Sequence, residues 1–233
     1  MPYRRLPNTD QSRLRALRTI LTKGSKSTPA NLPFSQKRYL EIQAFLPQFE
    51  QVVNQYKTNF DKQASLGKQL SESYKTCKLF VSHYIQVLNF IIIRNELKPE
   101  VRLVYGVKAS DRSVPEITTK QQLVTLGDML IKGEEQRCAM GGTRLYNPSI
   151  AVVKVKYEQY IEVLNNHKNL QTTTQKYHDR LIEFRTIADE HILNIWNEIE
   201  ESYCNLPANE KRDSCSEYGL VYLLRTSEKH LVN

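Results

Sequence analysis

Glycine and proline are scarce, eight and nine residues in a chain of 233. That leaves room for long uninterrupted elements and excludes a collagen-like or low-complexity chain. Cysteine is rarer still: Cys77, Cys138, Cys204 and Cys215 stand far apart, with no C-x-x-C pair. That spacing argues against a zinc ribbon and a thioredoxin-like redox pair, and reduced packing thiols of a cytosolic protein are expected ahead of a disulfide framework. There is one tryptophan, Trp196. The first ten residues lack the apolar stretch of a secretory signal. The longest charge-free apolar run, Leu79–Ile93, has fifteen positions and includes Ser82, His83, Gln86 and Asn89. A spanning helix needs about twenty mostly apolar residues. The run is expected to be a helix buried on all sides, in a soluble, cytoplasmic protein without stable membrane insertion.

Catalytic patterns are missing as well. A carboxylate-bridged metal site in a bundle needs E-x-x-H pairs. Three residues after Glu72, Glu162 and Glu183 come Lys75, Asn165 and Thr186. The sequence has neither a phosphate-binding G-x-x-x-x-G-K-[ST] nor a G-x-S-x-G elbow. Gly141-Gly142 read as a helix stop, and Cys215, in a polar segment with Lys211, Arg212 and Asp213, reads as an ordinary exposed or half-buried thiol. No catalytic, cofactor-binding or metal-binding residue is therefore predicted, and the protein is not expected to be an enzyme.

What is present is a very long apolar seam. From Ile42 through Leu46, Phe49, Val53, Tyr56 and Phe60 to Leu70, Tyr74, Cys77, Val81, Tyr84, Leu88 and Ile91, apolar residues recur at alternating steps of four and three. Such a repeat predicts one helix over about 35–98, wanting a partner of similar length. The partner is predicted over about 148–205, with a seam from Ile150, Val153, Tyr157, Tyr160 and Leu164 that weakens at Thr172-Thr173-Thr174 and resumes through Leu181, Ala188, Ile192, Ile195 and Ile199. Pro47 should kink the first helix near Leu46. Gly67 and the threonine run suggest a soft waist. Asn147-Pro148 reads as a cap followed by proline at the first helical position.

Two shorter helices are predicted, about 11–23 behind a Thr9 or Asp10 cap and about 118–139 behind a Thr-x-x-Gln capping box. Val101–Val107 fits either a helical turn or a short strand. Residues 208–217 read as a polar tail. Leu220–Leu224 reads as a short strand, its partner either Val101–Val107 or the same strand of a second chain. The fold class expected is all-α: an elongated antiparallel bundle on two very long helices. Its domains are a basic arm and helix (1–33), the bundle (34–206) and a tail with a short strand (207–233).

Several landmarks occur together: Pro2-Tyr3-Arg4-Arg5-Leu6-Pro7-Asn8-Thr9-Asp10, His83-Tyr84-Ile85-Gln86-Val87-Leu88-Asn89, Tyr146-Asn147-Pro148-Ser149-Ile150, Ile195-Trp196-Asn197 and Glu217-Tyr218-Gly219-Leu220-Val221-Tyr222. On these the chain resembles, end to end, an uncharacterised family of bacterial helical proteins. The resemblance implies a bacterial helical fold and carries no activity or site residue.

Charge is the feature closest to function. Nine of the 33 bases but one of the 25 acids fall in residues 1–40, so the net charge of +8 sits at the amino end. Arg4, Arg5, Arg13, Arg15, Arg18, Lys23 and Lys26 are the candidate contacts for an anion or a nucleic acid. Three functions follow as expectations. The first is a non-catalytic interaction or scaffold protein whose partner is another protein or a second copy. The alternatives are a nucleic-acid-binding protein using the basic segment, and a membrane-active helical protein. The first helix is expected to dock on the bundle with its arginines turned to solvent, rather than lie on an anionic surface.

Overall fold

The computed structural model describes residues 3–110 and 113–223. In chain order these form β1 (Tyr3–Arg5), α1 (Asp10–Gly24), a 3-10 turn (Pro29–Asn31), α2 (Gln36–Ile93), a 3-10 helix (Pro99–Tyr105), α3 (Lys120–Ala139), α4 (Ile150–Ser202), α5 (Ala208–Ser216) and β2 (Val221–Leu223). The all-α class and its two very long helices are as the seam predicts. α2 runs without interruption through Pro47 and Gly67, and α4 through Thr172–Thr174. Two compact units share these helices: unit 1 comprises Met1–Phe60 and Thr173–Asn233, unit 2 Asp61–Thr172.

Unit 1 packs α1, the first part of α2 and the last part of α4 around one core. Phe45 stacks on Phe49 and on Phe184, with ring centroids 5.7 and 5.6 Å apart. Arg38 meets Glu198, Phe45 meets His191 and Tyr56 meets His178, so positions climb on α2 as they fall on α4 and the pair is antiparallel. Trp196, Ile192, Ile195 and Ile199 are fully or almost fully buried there. α1 adds Leu14, Ala16, Leu17 and Ile20 to this core. Thr9 caps it: the Ser12 N–H donates to the Thr9 hydroxyl, and the Thr9 N–H donates to the Ser12 hydroxyl.

Unit 2 is a second core. Leu70, Cys77, Val81, Tyr84 and Leu88 of α2 meet Val153, Tyr160 and Leu164 of α4, with Leu123 and Leu130 of α3 and Tyr105 closing over them. Tyr74 lies edge-on to Tyr160 at 5.9 Å and Gly67 lies beside His167, so α2 and α4 run antiparallel within this unit as well. α3 opens on a Thr119–Gln122 capping box, as its sequence predicts.

Four expectations are corrected, and one open alternative is decided. Leu79–Ile93 is not buried on all sides: Leu79, Phe90 and Ile93 are 65, 60 and 59 % exposed. Neighbouring elements cover only the seam side of α2 here, and these three lie on the reverse side. α2 also holds an eighteen-residue window of mean hydropathy 1.4, long and apolar enough to cross a membrane, of which 33 % is buried. Residues 208–216 are a helix rather than a polar tail, because Cys215 faces inward and is fully buried. β2 pairs with β1, antiparallel with Tyr3 opposite Leu223, rather than with residues 101–107 or a second chain. Leu224, the last residue of the expected strand, lies outside the described residues. Residues 99–105 take the helical alternative. Finally, Pro148 precedes α4 rather than opening it: the Asn147–Pro148 peptide is cis and Asn147 has φ 60°, so the chain turns there before Ile150 starts the helix.

Candidate functional site

In unit 1, β1 feeds α1 through the short link Leu6-Pro7-Asn8, while α5 returns the chain to β2 through a turn at Gly219. That turn requires glycine, with φ 89° and Thr19 close by. Strand alternation then separates two neighbouring arginines. Arg4 points inward, donating to Glu200 at 2.9 Å and to Asn197 at 2.9 Å, with its guanidinium 6.0 Å over the Trp196 ring. Arg5 points outward and lines an open cavity of about 370 Å³. Arg15, from the outer side of α1, lines the same cavity. So does Trp196, whose buried indole N–H has no hydrogen-bond acceptor among the described residues.

The seven cations named from the sequence thus meet different fates. Arg13 forks onto Asp189 through two bonds of 2.8 Å, Arg18 meets Glu50 at 2.8 Å, Lys23 meets Glu217 at 3.0 Å, and Arg4 is held as described. These four are ion-paired within unit 1, so they do not form a free basic face; α1 docks as expected, with Arg13 and Arg18 turned to acids rather than to solvent alone. Arg5, Arg15 and Lys26 have no ion pair among the described residues, and two of these three share the cavity. Two acids of the same unit, Asp10 and Glu198, are committed as well. Arg185 forks onto Asp10 at 2.6 and 2.7 Å. Burial raises the Glu198 carboxyl, but the Ser35 N–H at 2.8 Å and the Arg38 guanidinium more than offset this and hold it below its ordinary range.

Unit 2 contains two buried polar clusters. In the first, Glu134 and Arg137, 1 and 6 % exposed, sit one helical turn apart on α3. Arg137 donates to both Glu134 oxygens at 2.9 and 2.8 Å. Glu134 also accepts from the Tyr105 hydroxyl and, at 3.2 Å, from the Leu145 N–H. Arg137 donates to the Thr143 carbonyl. The pair therefore fastens the loop after α3 and the 3-10 helix to one point. Burial raises the Glu134 carboxyl, yet its bonds from Arg137, Tyr105 and Leu145 outweigh that and leave it below the ordinary carboxylate range. Tyr84 and Tyr105 beside it are both raised, chiefly by burial. In the second cluster, buried Arg102 donates to Asn89, to the Lys108 carbonyl at 2.9 Å and to the Ser113 carbonyl at 3.1 Å, which ties the loop after the 3-10 helix to α2. Among the described residues no three His, Cys, Asp or Glu side chains gather as a metal site would require.

Sequence reasoning missed the Glu134–Arg137 clasp, although its i,i+3 spacing is a readable signal. Nor did it place Trp196 beside Arg5 and Arg15; that meeting depends on strand pairing between residues more than 200 positions apart. Neither a protein-family model, nor a curated protein, nor a solved structure matches the chain.

Proposed function

We propose that this is a non-catalytic helical interaction protein that works by self-association through the exposed face of α2 in unit 2. The observation that carries the reading is the reverse side of the Leu79–Ile93 helix. Leu79, His83, Gln86, Phe90 and Ile93 follow one another at steps of four and three and share one side. All five are exposed, and none is formally charged at neutral pH with histidine neutral. The uncovered parts of Leu79, Phe90 and Ile93 come to roughly 350 Å² of apolar surface, comparable with the largest patch on an ordinary monomer.

A second copy is the fitting occupant because the stripe is self-complementary. Two such stripes laid together oppose no like charges, whereas most other helix faces of this chain carry bases or acids. Covering about half of the roughly 700 Å² that two copies present contributes about 9 kcal/mol at about 25 cal/mol per Å², within the span of what association costs. The result is a weak, concentration-dependent dimer. Sedimentation equilibrium over a hundredfold range of protein concentration tests this. The expected result is a mass that climbs toward the dimer, and a Phe90→Glu/Ile93→Glu variant that stays monomeric with unchanged helicity. A monomer at every concentration, or a dimer indifferent to the double substitution, would overturn it.

A further inference from the structure

We infer that the unit 1 cavity is a binding site for a small organic anion, a carboxylate carried on an apolar body. It lies among elements that the α2 stripe does not involve, so it stands independently of the self-association reading.

Charge comes first. Arg5 and Arg15 line the cavity, no aspartate or glutamate does, and neither arginine has an ion pair among the described residues. Around them, by contrast, Arg4, Arg13, Arg18 and Lys23 each meet a carboxylate. Two cations without an ion pair on one acid-free wall make a local positive potential directed at one concave surface. Guanidinium groups present planar donor forks that fit a carboxylate.

Shape and the remaining wall narrow the class. About 370 Å³ lies at the small end of the range for small-molecule sites. Leu6, Pro7, Ala16 and Leu220 give it an apolar side, which inorganic ions would leave unused. Trp196 borders the cavity and is 1 % exposed, so its ring forms part of the wall while its buried indole N–H stays out of a ligand's reach. Gly219 keeps the turn at the rim close to Thr19 of α1, so the rim is built from backbone that a side chain would strain.

Trp196 is also the chain's only tryptophan, so the site carries its own reporter. The full chain is titrated with cyclohexanecarboxylate while its tryptophan emission is followed. Cyclohexylmethanol supplies the ring without the charge, and inorganic phosphate the charge without the ring. The expected result is a saturable change with the carboxylate, binding about tenfold weaker for either control, and an affinity that falls as salt is raised. Arg5→Gln and Arg15→Gln should each weaken binding about tenfold, and the double variant should abolish it. Both residues are exposed, so circular dichroism should show the variants folded. Absence of any saturable response to the carboxylate, with amide chemical shifts around Trp196 likewise unmoved, overturns the proposal. So does equal affinity for the alcohol or for phosphate, or undiminished binding by the double arginine variant.

Discussion

Replacing Glu134 by glutamine removes one negative charge from the middle of unit 2 and changes almost nothing in volume. Glu134 is 1 % exposed and Arg137 6 %, so solvent cannot screen what is lost. The two bonds from Arg137, at 2.9 and 2.8 Å, would then face an amide of which one side is itself a donor. Arg137 would keep its Nε bond to the Tyr105 hydroxyl at 2.8 Å, but one guanidinium nitrogen is already buried without an acceptor among the described residues, and a second would join it. Breaking a buried pair from one side costs about 3–5 kcal/mol, a large share of a typical domain's stability. Urea unfolding followed by far-ultraviolet circular dichroism should show a midpoint lower by about 2 M, at a slope near 2 kcal/mol per molar.

Two further arms make the reasoning strict. A Glu134→Leu/Arg137→Met double variant removes both charges and should recover most of the loss, which gives a positive coupling in the double-mutant cycle. The pH dependence has a definite sign. Glu134 is held below its unfolded value, so its contribution is complete above the ordinary carboxylate range and disappears as pH falls through the lower folded value. Acid should therefore destabilise the native chain more than Glu134→Gln. A cost below about 1 kcal/mol for Glu134→Gln, or identical acid limbs for the two proteins, would refute the clasp.

Two other outcomes follow from burial. Cys77 and Cys215 are fully buried, and burial pushes the Cys77 thiol up to about 12, while Cys204 is exposed. A thiol reagent at neutral pH should modify Cys204 rapidly and leave Cys77 and Cys215 until the chain is unfolded; fast labelling of Cys77 in the native protein would contradict its packing. Gly133 on α3 leaves no room for a methyl group, because an added Cβ would stand 2.5 Å from the Val104 carbonyl oxygen and 2.9 Å from the Tyr105 ring. Gly133→Ala should cost about 1–3 kcal/mol by thermal or urea unfolding, despite alanine's better helix propensity. A stabilised variant would count against the close approach of the 3-10 helix to α3.

The long helices were legible because each carries one apolar period over about fifty residues, weakened only near its middle, and because Thr9 and Thr119 announce the shorter ones. The pairing of Tyr3–Arg5 with Val221–Leu223 was not legible, since three-residue strands have no pattern to read and their register is set by what the rest of unit 1 brings together. α5 was missed for a related reason: apart from Ala208 its only apolar residue is Cys215, so it has no stripe. Charge misled in a more instructive way. A cluster of seven bases looks like a surface for an anionic polymer, but whether a base is free depends on acids 32 to 196 positions away in sequence, such as Glu50, Asp189 and Glu200. The apolar Leu79–Ile93 run could be recognised as helical, whereas which of its sides would be covered is a property of the neighbours.

The division of the chain has a consequence for its synthesis. Asp61–Thr172 is one contiguous stretch, whereas the other unit is assembled from both flanks of it. As the polypeptide leaves the ribosome, the middle portion can collapse first, while Tyr3–Arg5 and the helix after it wait for Val221–Leu223 to emerge. Until then Leu14, Leu17 and Ile20 have no complete surface to rest on. The segment through α1 is thus made before the middle unit yet settles after it, and a nascent chain from which Thr172 has emerged should already contain a folded middle and a still unsatisfied α1.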